Sequence, residues 1–368
     1  VQPVRYSLKF RPEYGVETTV LIGRNHIAEL QDRLLAIAPG RWFCISSRPV
    51  LKAIGTTWLS GIPQALLDPE PILVPDGERA KTWQVLGRVL LELKKRGVRR
   101  DGGVLAVGGG TVGDLAGMAA SLSLRGVPVV QVPTTLLAAA DSSLGGKTAV
   151  DLGDAKNLAG TFHHPALVFA DTQFLDRLPE RDYRSGLAEV VKSALLDRGF
   201  WKRFPALAQG LAQRDPNAVS EAVYRSLKMK ARVVKADPRE TRGLRFALNL
   251  GHTLGHALEG ASGFELRHGE AVAWGMLAAL KLSEKRAGLS PATAGEAAGF
   301  IEGLVAPPSL PASSVEGWAA LLPLDKKGDS SGVRAVLLEQ PGQVRLERLD
   351  ISEWRQAFES VRSRYNQR

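Results

Sequence analysis

Three of the six histidines in this chain, His252, His256 and His268, fall within residues 249–270, NLGHTLGHALEGASGFELRHGE. The run 253–259 contains good helix formers and no proline, so His252 and His256, four apart, share one helical face. His268 follows a glycine-containing turn and opens a second apolar run, GEAVAWGMLAAL, which also reads as helix. Two helices joined by a short connection can bring His252 and His268 together, and an acidic side chain would complete a divalent metal site. Three histidines on apolar helices can equally be hydrogen-bonded core residues, and the cluster alone leaves both readings open.

Other charged residues stand where a packed core has no use for them. In RSGLAEVVKSALL, Glu189 and Lys192 are three apart on one helical face among apolar neighbours. They form either a plain ion pair or a pair in which Glu189 is the acid missing from the histidine cluster. Lys230, Arg239, Glu240, Arg245 and Asn249 then crowd the approach to His252. The segment 133–157, PTTLLAAADSSLGGKTAVDLGDAKN, sets Asp141, Lys147, Lys156 and Asn157 among glycines and small residues. Lys147 and Lys156 beside exposed backbone amides would hold a phosphate or carboxylate. Gly108-Gly109-Gly110 closes a strand and precedes a helix, a position where amides and a helix N-terminus bind pyrophosphate. GGGTVGD is not the GxGxxG fingerprint, and a tight strand-to-helix turn explains it equally well. Glu78 and Lys81 in PDGERAK flank a helix start, as a capping or surface pair would. Asp325-Lys326-Lys327 is a further charged cluster before the last hairpin.

The elements that must position these residues are legible in outline. Residues 4–23, 41–47, 71–74, 102–108, 127–133 and 166–171 read as strands, with helices over 26–37, 81–96 and 112–124 between them. Strands apolar on both faces and alternating with helices imply a largely parallel sheet. After residue 178 the pattern is helical: 179–197, 199–213, 216–235, 246–260, 268–287, 292–304 and 351–364. One hairpin spans 333–349 and a loop 306–313. The expectation is an α/β dinucleotide-binding domain of Rossmann-like type at 1–178 and a mainly α-helical metal- and substrate-binding domain at 179–368.

Composition narrows the function classes. A chain of 368 residues, 44% apolar and 23% charged, has the length for two cores. Its apolar runs are interrupted well before the roughly 18 residues a membrane span needs. The start of the sequence shows no leader pattern, and the single Cys44 excludes an internal disulfide, so a cytoplasmic location is expected. The formal charge of +10 is dispersed, without a basic block interleaved with aromatics. A small anionic ligand is therefore favoured over nucleic acid.

Assembled, these pieces resemble the 3-dehydroquinate synthase family of the sugar-phosphate cyclase group. The matching segments are PDGERAK, GGGTVGDLAG, LRGVPVVQVPTTLLAAADSSLGGKTAVD, AKNLAGTFHHP, LPERDYRSGLAEVVK, GLRFALNLGHTLGHALEG, RHGEAVAWGM and LDKK, in order over most of residues 70–330. The resemblance implies Glu189, His252 and His268 as ligands of zinc, with cobalt as the alternative ion. It moves His256, which spacing alone would pair with His252, to the substrate. It implies nicotinamide-cofactor contacts at Glu78, Lys81, Gly109, Gly110, Asp114, Thr134 and Thr135. Substrate positions are implied at Asp141, Lys147, Lys156, Asn157, Lys192, Lys230, Arg245, Asn249, His256 and Lys326. Glu240 matches the family's catalytic glutamate, and Arg125 the arginine that reaches a neighbouring subunit, which implies a homodimer.

The implied activity is conversion of 3-deoxy-D-arabino-heptulosonate 7-phosphate to 3-dehydroquinate and phosphate. It proceeds by NAD-dependent transient oxidation, phosphate elimination, re-reduction and intramolecular aldol closure. A substrate with a carboxylate and a phosphate accounts for the number of cations. Three departures from the family pattern stand out. Ser47-Arg48 occupies the strand end where an acid usually holds the adenosine ribose, so weaker discrimination against NADP is expected. The loop 237–245 is one residue longer, and Arg177 replaces the usual threonine. Alternatives are another cyclase of the group, a metal-dependent polyol dehydrogenase, and a cofactor-binding regulator without activity.

Overall fold

The structure, a computed structural model, describes residues 4–13, 15–153, 155–322 and 332–366. Among these, seven strands form one sheet in the order β1-β2-β9-β6-β5-β3-β4. They are β1 (Tyr6–Glu13), β2 (Val16–Gly23), β3 (Trp42–Ser47), β4 (Ile72–Val74), β5 (Gly103–Gly108), β6 (Val129–Pro133) and β9 (Leu167–Asp171). β1 pairs antiparallel with β2, and every other pairing is parallel. All residues of β3, β5, β6 and β9 are buried, as a sheet covered on both faces requires. Alternation divides them between two cores. Phe43, Ile45, Val104 and Ala106 pack with the helices Trp83–Lys95 and Gly110–Leu122. Trp42, Cys44, Leu105 and Val107 pack with the helix Ile27–Ile37 on the other face.

The strand order creates a switch point. From β3 the chain moves outward to β4, then returns to β5 on the opposite side of β3. Ligands of open parallel sheets bind outside the carboxyl ends at such a reversal. Ser47 and Gly108 end the two strands that flank it.

Two features of this region were not legible. A hairpin of β7 (Lys147–Leu152) and β8 (Ala155–Phe162) forms its own small sheet. Its β8 strand, AKNLAGTF, lacks the β-branched runs by which strands are recognised. The stretch 4–23 is two strands, turned at Gly15 with φ 77°.

The chain divides into two units, Val1–Leu178 with Val219–Arg239, and Pro179–Ala218 with Glu240–Arg368. The single cut after 178 expected from the sequence therefore needs correcting for residues 219–239. Their polar and aromatic contacts explain the placement. Tyr224 stacks on Tyr6 at 4.7 Å, Ser220 Oγ meets Thr172 Oγ1 at 3.1 Å, and Lys230 bonds to Asp141.

The second unit is built on the helix His268–Arg286, buried along most of its length. Around it lie the helices Glu180–Leu195, Arg198–Ala212, His252–Ala261, Pro291–Phe300 and Ile351–Asn366, and the hairpin β10 (Val333–Gln340) and β11 (Gln343–Leu349). A helix Ala312–Leu321 extends beyond the loop expected at 306–313. Among the described residues no helix is long and apolar enough to cross a membrane.

Candidate active site

In the helical unit, Glu189 lies just past the middle of its helix, while His252 and His268 each open one. Close helix approach brings them together. A Cβ on Gly275 would fall 1.8 Å from Gly251 O, and one on Gly269 would fall 1.9 Å from Ser185 O. No other residue fits those crossings. The start of the His268 helix is fixed by Glu270, which accepts from Arg267 N–H at 2.8 Å and from the Arg181 guanidinium at 2.6 and 2.8 Å.

The two imidazoles aim the same nitrogen at one oxygen. Nε2 of His252 is 3.6 Å and Nε2 of His268 is 3.5 Å from Glu189 Oε1. The opposite nitrogens are engaged: Nδ1 of His252 with Leu250 O at 3.2 Å, Nδ1 of His268 with Glu259 Oε2 at 3.1 Å. Hydrogen bonding at Nδ1 leaves Nε2 as the ligating atom, the usual arrangement around protein-bound metals. Glu189 Oε1 is buried with no hydrogen-bond partner among the described residues, while Oε2 pairs with Lys192. One carboxylate oxygen and two imidazole nitrogens within 4.8 Å of one another fit a divalent cation.

Electrostatics keep Glu189 ionised and His252 neutral, as ligands must be, while His268 has to release a proton to an incoming cation. Burial pushes the Glu189 carboxyl up, but Lys192, His252 and His268 outweigh it and hold it well below the usual carboxylate range. Burial, with the Lys192 charge adding to it, pushes the His252 ring well below the usual imidazole range, keeping it neutral. For His268 burial acts in the same direction, yet the carboxylates of Glu189 and Glu259 prevail and push it up to about 10. Glu189 and Lys192 form the ion pair that their spacing allows, with both partners buried. It accompanies the cluster rather than replacing it. His256 stands beside the trio, its ring 5.2 Å from that of His252 and 5.8 Å from that of His268.

In the sheet unit, charges gather near the switch point. Lys81, buried, donates to Asp114 Oδ2 at 2.9 Å and to Asn157 Oδ1, and lies 3.9 Å from Glu78. Burial works against its charge, but Asp114 and Glu78 raise it above the ordinary lysine value. Lys156 reaches Glu78 at 3.5 Å. Asn157, grouped with the substrate positions by the resemblance, sits on Lys81 with a left-handed φ of 54°. Its N–H donates to Asp151 Oδ1 at 2.7 Å. Gly109 is the N-cap and Gly110 the first residue of a thirteen-residue helix, with no side chain capping it among the described residues. Its amides at the end of β5 can therefore receive a pyrophosphate. Thr134 N–H donates to Gly108 O at 3.0 Å, and Thr135 Oγ1 accepts from Ala138 N–H at 3.2 Å.

Other expected residues are placed as follows. Lys230 Nζ bonds to Asp141 O at 2.8 Å and to its Oδ1 at 2.9 Å, where the chain makes a π-type turn. Lys147 opens β7, exposed. Arg245 is buried in the short helix Leu244–Asn249, and Asn249 ends it. Glu240 takes φ 55° after the helix Pro216–Ala236. Arg125 (φ 67°) follows Leu124 (φ 52°) in an exposed, strained turn. Lys326, with Asp325 and Lys327, lies outside the described residues. The sequence reading missed Glu259, Asp151 and Asp76. Glu259, seven after His252 on the same helical face, had a signal in its spacing. Asp76 had none, because its partner Ser47 is distant in sequence: Ser47 Oγ donates to Asp76 Oδ1 at 2.9 Å.

A parallel sheet with a glycine turn at its switch point, and a separate helical unit carrying a carboxylate and two imidazoles, define a two-unit dinucleotide-type protein with a candidate metal centre. The family model for the 3-dehydroquinate synthase N-terminal region matches residues 71–185, and that for the C-terminal region matches 186–328. The 3-dehydroquinate synthase of Nitrosomonas europaea is 37% identical over 346 residues, 93% of each chain. That of Pyrobaculum islandicum is 43% identical over 293 residues, 79% of this chain and 85% of its own. Among solved structures, 2-deoxy-scyllo-inosose synthase complexed with carbaglucose-6-phosphate, NAD+ and Co2+ superposes with a TM-score of 0.86, at 25% identity over 97% of this chain and 99% of that one. The 2-epi-5-epi-valiolone synthase of Streptomyces hygroscopicus, with NAD+ and Zn2+ bound, gives 0.82 at 26% identity, with 97% and 99% covered. The chain belongs to the 3-dehydroquinate synthase family.

Proposed function

We propose that this chain converts 3-deoxy-D-arabino-heptulosonate 7-phosphate to 3-dehydroquinate and phosphate, as an NAD- and metal-dependent phosphate-eliminating lyase. The observation that carries this reading is the convergence of the His252 and His268 Nε2 atoms on Glu189 Oε1 in a chain of this family. Glu189, His252 and His268 would hold the divalent ion, zinc or cobalt. Glu78, Lys81, Gly109, Gly110, Asp114, Thr134 and Thr135 would hold NAD. When bound, the dinucleotide supplies reversible hydride transfer at the substrate's C5 carbon, and the metal polarises the hydroxyl there.

The chain's own residues bind and orient. Lys147, Lys156, Lys230 and Arg245 supply charge-assisted donors for a substrate with a phosphate and a carboxylate. Lys192, held by Glu189, keeps a positive charge beside the metal cluster. Asp114 and Asn157 fix the Lys81 ammonium by accepting its protons. His256 and Asn249 are assigned to the substrate hydroxyls, with Asp141, Glu240 and Lys326 completing the polar set. Elimination breaks the C–O bond to phosphate as the C6 proton leaves, and ring opening with aldol closure forms the new C–C bond. No external oxidant is consumed, so the work of the protein is positioning and electrostatics. We further propose a cytoplasmic homodimer, with Arg125 serving the partner subunit. The exposed Leu122 and Leu124 beside Arg125 suit such an interface, and the buried lone thiol of Cys44 suits a reducing compartment.

One assay tests the substrate. Phosphate release is measured with the heptulosonate phosphate and, separately, with glucose 6-phosphate, each with and without chelator. Release from the heptulosonate alone, stopped by chelator, is expected. Release from glucose 6-phosphate instead would favour the second reading, another sugar-phosphate cyclase, to which the 0.86 superposition on a complex with carbaglucose-6-phosphate points.

A further inference from the structure

The strand end that usually discriminates between NAD and NADP lacks its acid here, since β3 ends in Ser47 followed by the exposed Arg48. A serine hydroxyl cannot repel a 2′-phosphate, and a nearby arginine favours one. Yet the structure does not leave this strand end without a carboxylate. Ser47 is buried in register with Val74 of β4, and Asp76 lies two residues past Val74. The Ser47 hydroxyl donates to Asp76 Oδ1 at 2.9 Å. Ser47 and Asp76 are each the N-cap residue of a short helical segment, and neither caps it with its side chain among the described residues. Both side chains are instead committed to one another. Asp76 remains exposed, so its second oxygen can accept from a ligand.

We infer that Asp76, which follows β4 and is held by Ser47 at the end of β3, is the residue that selects NAD over NADP in this chain. The carboxylate accepts from the ribose 2′-hydroxyl and repels a 2′-phosphate, while Ser47 acts as the positioning residue. An acid one strand away thus does the work of the missing one, and the weak discrimination expected from Ser47-Arg48 alone does not follow. This inference rests on the NAD reading above.

Calorimetric titration of NAD and of NADP into the full chain tests it, for the unmodified protein, Asp76→Asn, Ser47→Ala and the double variant. Asp76→Asn, at an exposed position, is expected to weaken NAD binding roughly tenfold, the effect of losing one hydrogen bond to a charged group, and to tighten NADP binding. Ser47→Ala should lower the NAD preference by less, and the double variant should match Asp76→Asn, because the serine acts only through the aspartate. An unchanged NAD-to-NADP ratio in Asp76→Asn would overturn the inference, as would equal losses that simply add in the double variant. Binding of neither dinucleotide by the unmodified protein would sink the cofactor reading, and this inference with it.

Discussion

At the scale of single residues, the cluster of Glu189, His252 and His268 makes sharply different demands on its members. His252→Ala and His268→Ala each remove one imidazole nitrogen and should abolish metal retention, read as metal per chain by atomic emission. His256→Ala should keep full metal content while losing turnover, because its ring stands beside the trio rather than in it. Loss of metal in His256→Ala alone would show the histidines to be misassigned. Glu189→Gln carries a second penalty. It leaves the ammonium of Lys192 buried without its carboxylate, a change that costs about 3–5 kcal/mol in comparable pairs. Its melting temperature should fall well below that of His252→Ala, and equal melting of the two would argue against a buried ion pair. Glu259→Gln tests the support of His268: removing such an outer partner typically weakens metal affinity about tenfold to hundredfold. Unchanged affinity in a competition titration with a chelator would remove Glu259 from that role.

At the scale of elements, the trio depends on how closely three helices approach. Gly275→Ala would set a Cβ 1.8 Å from the Gly251 carbonyl, so the helices must separate. Overpacking of this kind costs about 1–3 kcal/mol, and metal content should drop although no ligand has changed. A variant with native melting and full metal would show that the crossing is not what positions the site. On the sheet side, Cys44 sits in the centre of β3, and burial pushes its thiol up to about 12. Labelling by a thiol reagent should therefore proceed only through unfolding, and fast labelling of the native protein would contradict the buried placement. The same elements show what the sequence could reveal. Continuous apolar runs announced β3, β5, β6 and β9, and glycine followed by a helix announced the turn at Gly109. The hairpin of β7 and β8 was hidden because β8 is mostly small or polar and has no buried residue, and β7 offers only the short buried run Thr148, Ala149 and Val150. The histidines were visible by type and spacing, and Glu189 was legible as a candidate for their missing acid, although only the family resemblance chose that reading over a plain ion pair with Lys192. Asp76 stayed hidden because a side-chain bond between residues twenty-nine apart leaves no periodic trace.

At the scale of the whole molecule, the proposed homodimer predicts a sedimentation mass of twice 39.6 kDa. Leu124→Asp, which puts a charge into the exposed apolar turn, should shift the population toward monomer, and Arg125→Ala should lose turnover while remaining dimeric. A monomer at all concentrations in the unmodified protein would remove Arg125 from the site. The central claim is that one metal ion, held by Glu189, His252 and His268, is required for phosphate elimination from the heptulosonate phosphate. Zinc titration into chelator-treated protein, with NAD present and phosphate release recorded, tests it most directly. Activity should rise linearly to a break at one equivalent per chain in the unmodified protein, with no recovery in His252→Ala at that concentration. Full phosphate release from the chelated protein, or full recovery in His252→Ala at one equivalent, would contradict the account.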